Sequence, residues 1–352
     1  MIIPTEGCGS VPRPQYLIDA MGALQAGTLY ADEFEAVQNR ALTETIAEME
    51  ATGSAIITDG EQSKHSFVSY PLAGLSNLAP DGVVIPFEDG HTRQLPCLTA
   101  GPFRYGTYTG AYVAKAKTLT QHRLKQAVIS PSAMALLYPV AGIDGYARET
   151  FVEDLVGECV KDIRSAFDAG AEIVQIDFTE GRLACKLDPS KGLLRQFVDL
   201  NNMVLAQFSD DERARIGVHT CPGGDHNSTH SADVDYSELL PDLFKMNAGR
   251  FYLQMASEAD KPRVLDIIQR ERQSHQIAFV GVIDPCNTTA ETAEQVRDAT
   301  LEIAEHLKGE RFGTTDDCGF SPFGDDIAMA RATAFAKIKA RVAGTKLAEQ
   351  AL

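Results

Sequence analysis

The sequence predicts a (β/α)8 TIM barrel over residues 1–352 as a single domain, with a β-hairpin inserted near residues 80–110. Three observations carry that expectation. Short apolar runs alternate with amphipathic helical stretches from end to end, as parallel strands joined by crossover helices require. No Pro/Gly-rich linker divides the chain into halves. Polar and thiol side chains recur just after the apolar runs, and in a barrel those positions form the functional rim at the carboxyl ends of the strands. An open doubly wound sheet is the rival fold. It loses ground because no Gly-x-Gly-x-x-Gly follows an early run and no Walker-type Gly-Lys-Ser/Thr occurs.

The chain opens apolar and reaches Gly7-Cys8-Gly9-Ser10, where glycines suit a tight turn or a close backbone approach to a ligand. A helical pattern over residues 31–52 precedes a short buried strand at 54–58, which ends in Asp59-Gly60-Glu61. Two apolar stretches, 83–86 and 94–98, flank Glu88-Asp89-Gly90-His91 and read as a hairpin with an Asp-Gly turn. Extra β structure inserted after a barrel strand commonly builds a lid or substrate wall. Residues 127–131 give the third strand. Phe151, Leu155, Val156, Val160, Ile163 and Phe167 recur at three- and four-residue steps, so 148–169 is an amphipathic helix, ended by Gly170. The fourth strand is 172–177. There follow a helix at 193–208, a strand at 215–219, a helix at 236–246, a strand at 250–255 and a helix at 262–272. The last elements are a strand at 277–284, a helix at 289–307 with Thr289 as its N-cap, a strand at 311–315 and a helix over 326–342.

With 44% hydrophobic and 23% charged residues, the chain can bury a large core and does not have a disordered composition. Its net charge of −17 argues against nucleic acid or an anionic membrane as partner. No run approaches the ~18 unbroken apolar residues of a membrane span. The N-terminus lacks the basic and apolar regions of a signal peptide, so a cytoplasmic location is expected. Seven cysteines, an odd number in a large chain, read as free thiols rather than a disulfide framework. A homo-oligomer is compatible with all of this.

The predicted rim gathers Ser10, Asp59, Glu61, Ser130, Asp177, His219, Cys221, Gln254, Asp284, Asp316, Asp317 and Cys318. His219 and Cys221 are two apart at a strand end and point the same way. Alone, such a pair is more often a core histidine and a buried thiol. Cys318, at the end of another strand, changes the balance, because two thiolates and an imidazole form a good Zn2+ set with one position open. Two thiolates cancel the charge of the ion, which makes it a poor Lewis acid towards water. A small-molecule thiol in the open position would still ionise near neutral pH. The expected chemistry is therefore alkylation of a thiol by a methyl or alkyl donor, not hydrolysis. Glu61 and Asp177 suit the ammonium group of an amino-acid thiol; the plainer reading is a salt bridge to Arg13, Lys64 or Arg182. Asp284 and Asp317 are the candidate acid–base residues of the mouth, and Gln254 a candidate substrate contact.

Gly9-Ser10, Asp59-Gly60-Glu61, Gln175-Ile176-Asp177, His219-Thr220-Cys221 and Asp316-Asp317-Cys318-Gly319, in this order, resemble the catalytic C-terminal barrel of the cobalamin-independent methionine synthase family. The resemblance implies zinc on His219, Cys221 and Cys318, with Ser10, Glu61 and Asp177 holding the amino-acid part of homocysteine while a methylfolate donates the methyl group. The sequence departs from that family in three places. Gln254 stands where the family has a glutamate ligand. The segment Ile283-Asp284-Pro285-Cys286-Asn287 lacks the family's histidine, which protonates the leaving folate. There is no tryptophan to stack on a pterin, for which Phe103, Tyr105 or Tyr138 would substitute. The family's duplicated N-terminal barrel, which helps hold the folate tail, has no match here. A branch resembling epoxyalkane:coenzyme M transferase, which opens epoxides with a zinc-bound thiolate, is one alternative. A metal-independent decarboxylase of the uroporphyrinogen type is another, and a non-catalytic thiol- or metal-binding scaffold a third.

Smaller candidates complete the reading. Thr179-Glu180-Gly181-Arg182 offers an acid or an anion-binding arginine, with a surface ion pair as the plainer reading. Pro222–Asn227 is a loop with exposed amides, His226 and His230 are spare ligand candidates, and Cys8 and Cys286 lie near the mouth. Cys97, Cys159 and Cys185 have no partner spacing.

Overall fold

A curled sheet of parallel strands runs through a shell of helices in a computed structural model that describes residues 2–307 and 311–352. The strands are, in both chain and sheet order, β1 (Ile56–Ile57), β2 (Arg123–Ile129), β3 (Ile173–Asp177), β4 (Ile216–Thr220), β5 (Arg250–Leu253), β6 (Ile277–Ile283) and β7 (Phe312–Asp316). Every pairing between them is parallel. Register fixes what meets at the carboxyl end: Asp177 lies beside His219, and Thr220 beside Leu253. The N-terminal segment runs along the far side of β7, with a parallel bridge between Thr5 and Thr314 and the Glu6 N–H donating to Thr314 O at 3.0 Å. It then meets the loop after β1, where Val11 N–H donates to Gly60 O at 3.1 Å and the Thr58 hydroxyl to Gly9 O at 2.8 Å. This course brings Cys8 and Ser10 beside the ends of the strands.

The helices largely follow the apolar periodicity. Arg148–Asp168 buries Phe151, Leu155 and Ile163, as its spacing requires. Three expectations shift. Residues 236–246 are not one helix: a 3-10 turn at Tyr236–Glu238 and a short helix at Leu240–Leu243 replace it. Pro241 has no N–H to donate, so it begins a new helix and cannot continue one. The helix expected from 289 starts at Ala293, capped by Thr292, whose hydroxyl accepts from Gln295 N–H at 3.2 Å. The last helix is Arg331–Ala351, later at both ends than the pattern suggested. The helices at Gln15–Gln25 and Gly110–Lys117, the second short and weakly amphipathic, were not placed from the sequence.

The base of the sheet interior is polar as well as apolar. Glu6 accepts from the Tyr252 hydroxyl at 2.5 Å and from Arg250 at 2.7 Å, while Lys125 lies 3.2 Å above the Tyr252 ring and donates to Gly7 O. Burial depresses the Lys125 pKa to about 8, against the pull of Glu6. This network anchors the N-terminal segment to β2 and β5. Above the sheet, Val84–Pro86 pairs antiparallel with Thr92–Gln94, and the turn between them reaches the loop after β4 through Glu88 N–H to Thr229 O at 3.0 Å. Among the described residues no helix is long and apolar enough to cross a membrane.

Candidate metal centre

His219 is on β4, Cys221 follows its last residue, and Cys318 follows β7. Their ligand atoms all lie within 4.8 Å of one another, with the two sulfurs 3.2 Å apart and neither in a disulfide. The sheet's curl closes the long gap in sequence. Hydrogen bonding fixes how the imidazole presents itself. Cys8 donates its S–H to Asp316 O at 3.0 Å, so its sulfur accepts from His219 Nδ1 at 3.5 Å. That leaves His219 Nε2 with a lone pair, buried and without a hydrogen-bond partner. An orphaned buried nitrogen is costly unless something binds it, and this tautomer is the one a metal needs. Burial opposes charge on His219, yet the sulfurs of Cys8 and Cys318 raise its pKa well above the usual range, so a cation binding at Nε2 must displace a proton. The Cys318 thiol is itself held up by its hydrogen bond with Cys221 and by burial. The donor set fits a soft divalent cation.

His219 and Cys318 open onto a cavity of about 230 Å³ that reaches solvent. Ser10, Glu61 and Asp177 line it together with His219 and Cys318. Glu61 takes a left-handed backbone conformation (φ 57°), strained for a residue with a side chain. Its carboxylate is held by Lys64 Nζ at 3.0 Å, so one of the plainer salt bridges considered for it is real. Burial lifts the Asp177 carboxyl to about 6, opposed by His219 and Lys64 and by the Gln175 amide, which donates at 2.7 Å. Ser10 Oγ accepts from Ser321 N–H at 3.2 Å. A Cβ on Gly319 would sit 2.2 Å from that oxygen, so only glycine allows the segment after Cys318 to approach Ser10.

Asp59, Ser130, Asp316, Gln254, Asp284 and Asp317 are rim candidates that do not line this cavity. Gln254 is buried, but its amide accepts from Arg182 at 2.9 Å and donates to Ser257 Oγ at 2.7 Å. Asp284 accepts from Cys286 N–H at 2.9 Å and lines a separate cavity behind β6. The Asp317 carboxylate accepts from the N–H groups of Met255, Ala256 and Ser257 and from the Ser257 hydroxyl, all between 2.8 and 2.9 Å. It ties the loop after β5 to the residue beside Cys318. Burial raises its pKa to about 6 against those donors. Arg182 is not a free anion site either: it is spent on Gln254, on Glu258 at 2.7 Å and on backbone carbonyls.

Sequence reading missed several contributors. The cavity's aromatic wall is Phe67, Phe87 and Phe323, not Phe103, Tyr105 or Tyr138, which lie in the core. Phe87 and Ile85 come from the paired segment over the mouth, which is fastened by Arg93 to Asp225 at 2.5 Å and to Asp325 at 2.9 Å. The Asp-Gly turn signalled the pairing, but nothing in the sequence signalled the distant ion pairs. Glu180, expected on the surface, is buried at the cavity wall. Its position three residues beyond Asp177 was the usable clue. His230 also lines the cavity, and burial drops its pKa to about 4, so it is a neutral imidazole.

Comparison with known proteins agrees with this geometry. The family model described as "Cobalamin-independent synthase, Catalytic domain" matches residues 3–338. A methionine synthase of Saccharolobus solfataricus is 22% identical over 354 residues, covering 100% of this chain and 96% of its own. One from Sulfurisphaera tokodaii is 23% identical and covered to 94%. Among solved structures, a B12-independent methionine synthase from a Shewanella species, in complex with selenomethionine, superposes with a TM-score of 0.78 at 19% identity, over 100% of this chain and 99% of the other. A putative vitamin-B12 independent methionine synthase from Listeria monocytogenes gives 0.74 at 21% identity, with the same coverage. Since the family model spans nearly the whole chain, the chain belongs to the cobalamin-independent methionine synthase family, as its catalytic domain.

Proposed function

We propose that this chain is a zinc-dependent thiol S-methyltransferase that takes homocysteine as acceptor. In this reading it is one domain, a closed (β/α)8 barrel in which the N-terminal segment stands as the eighth strand beside β7, with the paired segment 84–94 inserted as a wall over the mouth. One observation carries the functional reading. The unpartnered Nε2 of His219 and the sulfurs of Cys221 and Cys318 converge at the wall of a cavity that also holds Ser10, Glu61 and Asp177. His219, Cys221 and Cys318 would hold the ion, and zinc there supplies the positive charge that lets an acceptor thiol ionise near neutral pH.

The chain's own residues do the rest. Asp177, which no lysine or arginine among the described residues bridges, receives the acceptor's ammonium group, and Glu61, paired with Lys64, lines the same cavity. Ser10, locked by Ser321, offers a fixed hydroxyl to the same group. Cys8 orients the imidazole through Nδ1. Phe87, Ile85 and Phe323 exclude water from the donor's side. Free thiols at the site require a reducing compartment, which fits a cytoplasmic setting. The decarboxylase alternative wants free arginines at the mouth, and Arg93, the arginine of the lining, is bound to Asp225 and Asp325. The direct assay is methyl transfer to homocysteine by zinc-loaded protein, read as methionine by mass spectrometry, together with growth of a methionine-synthase-deficient strain. Zinc-loaded protein that methylates no thiol from any donor removes the proposal.

A further inference from the structure

Gln62, Gln126, Gln175, Gln254 and Gln276 are all buried, and of these Gln175 alone, on β3, lines the cavity. Its amide nitrogen spends both hydrogens: Nε2 donates to Asp177 Oδ1 at 2.7 Å and to Cys8 O at 2.9 Å. The amide oxygen, Oε1, has no partner. Turning the amide over would set three acceptor oxygens against one another and leave two hydrogens bare, so its neighbours fix its orientation. The position calls for two hydrogens on one uncharged atom. An amide supplies them; a hydroxyl or an ammonium group does not.

The two acceptors belong to different parts of the site. Three successive carbonyls of the N-terminal segment are pinned from three strands or their loops: Gly7 O by Lys125 Nζ at 2.9 Å, Cys8 O by Gln175, and Gly9 O by the Thr58 hydroxyl at 2.8 Å. Of these donors, Gln175 is the one whose second hydrogen goes to a carboxylate of the cavity. Cys8 carries the sulfur that accepts from His219 Nδ1 at 3.5 Å. Contacts therefore run unbroken from Asp177 through Gln175 and Cys8 to the imidazole of the metal centre. Register sets the two ends of that chain side by side, with Asp177 next to His219. With Oδ1 held by the amide, Oδ2 of Asp177 remains for an ammonium group.

From this arrangement we infer that Gln175 is a positioning residue that determines acceptor specificity: by fixing Asp177 relative to Cys8 and His219, it sets the distance between the acceptor's ammonium group and the metal centre. The inference rests on the thiol methyltransferase reading and deepens it. A fixed span between an ammonium site and a metal reads the number of methylenes between nitrogen and sulfur. Homocysteine has one more than cysteine, and a thiol without an amino group cannot be read in this way. One methylene is worth about 10- to 200-fold in discrimination at a shaped site. Gln175 itself touches neither the acceptor nor the ion.

The test reads acceptor binding without any methyl donor. Cobalt(II) in place of zinc gains thiolate-to-metal absorption when a further thiolate enters its shell, so a titration gives a dissociation constant for each thiol. Homocysteine, cysteine and 4-mercaptobutanoate, which is homocysteine without its amino group, are compared in cobalt-loaded wild-type and Gln175→Met proteins. Gln175→Met should weaken homocysteine about 10- to 100-fold, the worth of a hydrogen bond to a charged group. It should leave 4-mercaptobutanoate within about twofold and shrink the preference for homocysteine over cysteine. In an Asp177→Asn background the same substitution should cost homocysteine nothing further, because it acts through Asp177. Gln175→Asn keeps an amide but falls one methylene short of bridging both acceptors. It should show the same selective loss, and it carries the test should Gln175→Met not fold. Equal weakening of homocysteine and 4-mercaptobutanoate assigns Gln175 a structural part and overturns the inference, as does an unchanged affinity for homocysteine. Wild-type protein whose cobalt takes up no thiol takes the thiol methyltransferase reading down instead.

Discussion

His219, Cys221 and Cys318 lie within 4.8 Å of one another, and so do Asp225, His226 and Asp326, yet the two groups differ in what already occupies their donors. In the first, Nε2 of His219 has no satisfied hydrogen bond, and the sulfurs lie beside each other, His219 and the Gly223 N–H, with no cationic lysine or arginine partner among the described residues. In the second, Asp225 accepts from Arg93 at 2.5 Å and from His91 at 3.0 Å, and Asp326 caps the turn to Ala328. Its negative charge is neutralised by a guanidinium that closes the wall over the mouth. Residue types and proximity alone do not separate a metal centre from an ion-pair clasp. Unspent lone pairs do.

The contrast can be broken most sharply at Cys318. Cys318→Ser should bring bound zinc from one per chain to near none, by elemental analysis, and methyl transfer to background. Zinc retained at full occupancy in that variant would move the metal centre elsewhere. Asp225→Asn should do the reverse. Removing one partner of a largely buried ion pair costs about 3–5 kcal/mol, so thermal unfolding should fall markedly while zinc content stays whole. A loss of zinc there would erase the distinction between the groups. The smallest expected effect is at Cys8. Cys8→Ala removes the acceptor for His219 Nδ1, and supports of this kind are worth roughly 10- to 100-fold in metal affinity. A competition titration with a chromophoric chelator should find that loss with the fold intact; an unchanged affinity would mean the imidazole is oriented by packing alone.

Much of this was legible in the sequence, for physical reasons. Parallel strands buried on both faces are continuous apolar runs, so the runs 172–177, 215–219 and 277–284 stood out and the strands fall within a residue of them. His219, Cys221 and Cys318 were found because strand ends in such a sheet share one rim. What stayed hidden depended on side-chain partners across long separations. Asp317 and Gln254 have the right position for chemistry, yet spend their polar atoms on Met255–Ser257 and on Arg182. Glu180 reads as a surface residue until Ser130, Ser132 and Asn201 are seen to enclose it. A run read as continuous hid the helix division at Pro241, and short length with weak amphipathicity hid Gly110–Lys117.

The closeness of Cys221 and Cys318 has a practical side. With 3.2 Å between them and no disulfide, the two sulfurs need little movement to join once nothing holds them apart. Air would then be enough to retire the centre. Chelator-treated protein stored without reductant should lose two titratable thiols as a pair and refuse zinc until dithiothreitol restores them, so reducing handling decides whether a preparation is active at all.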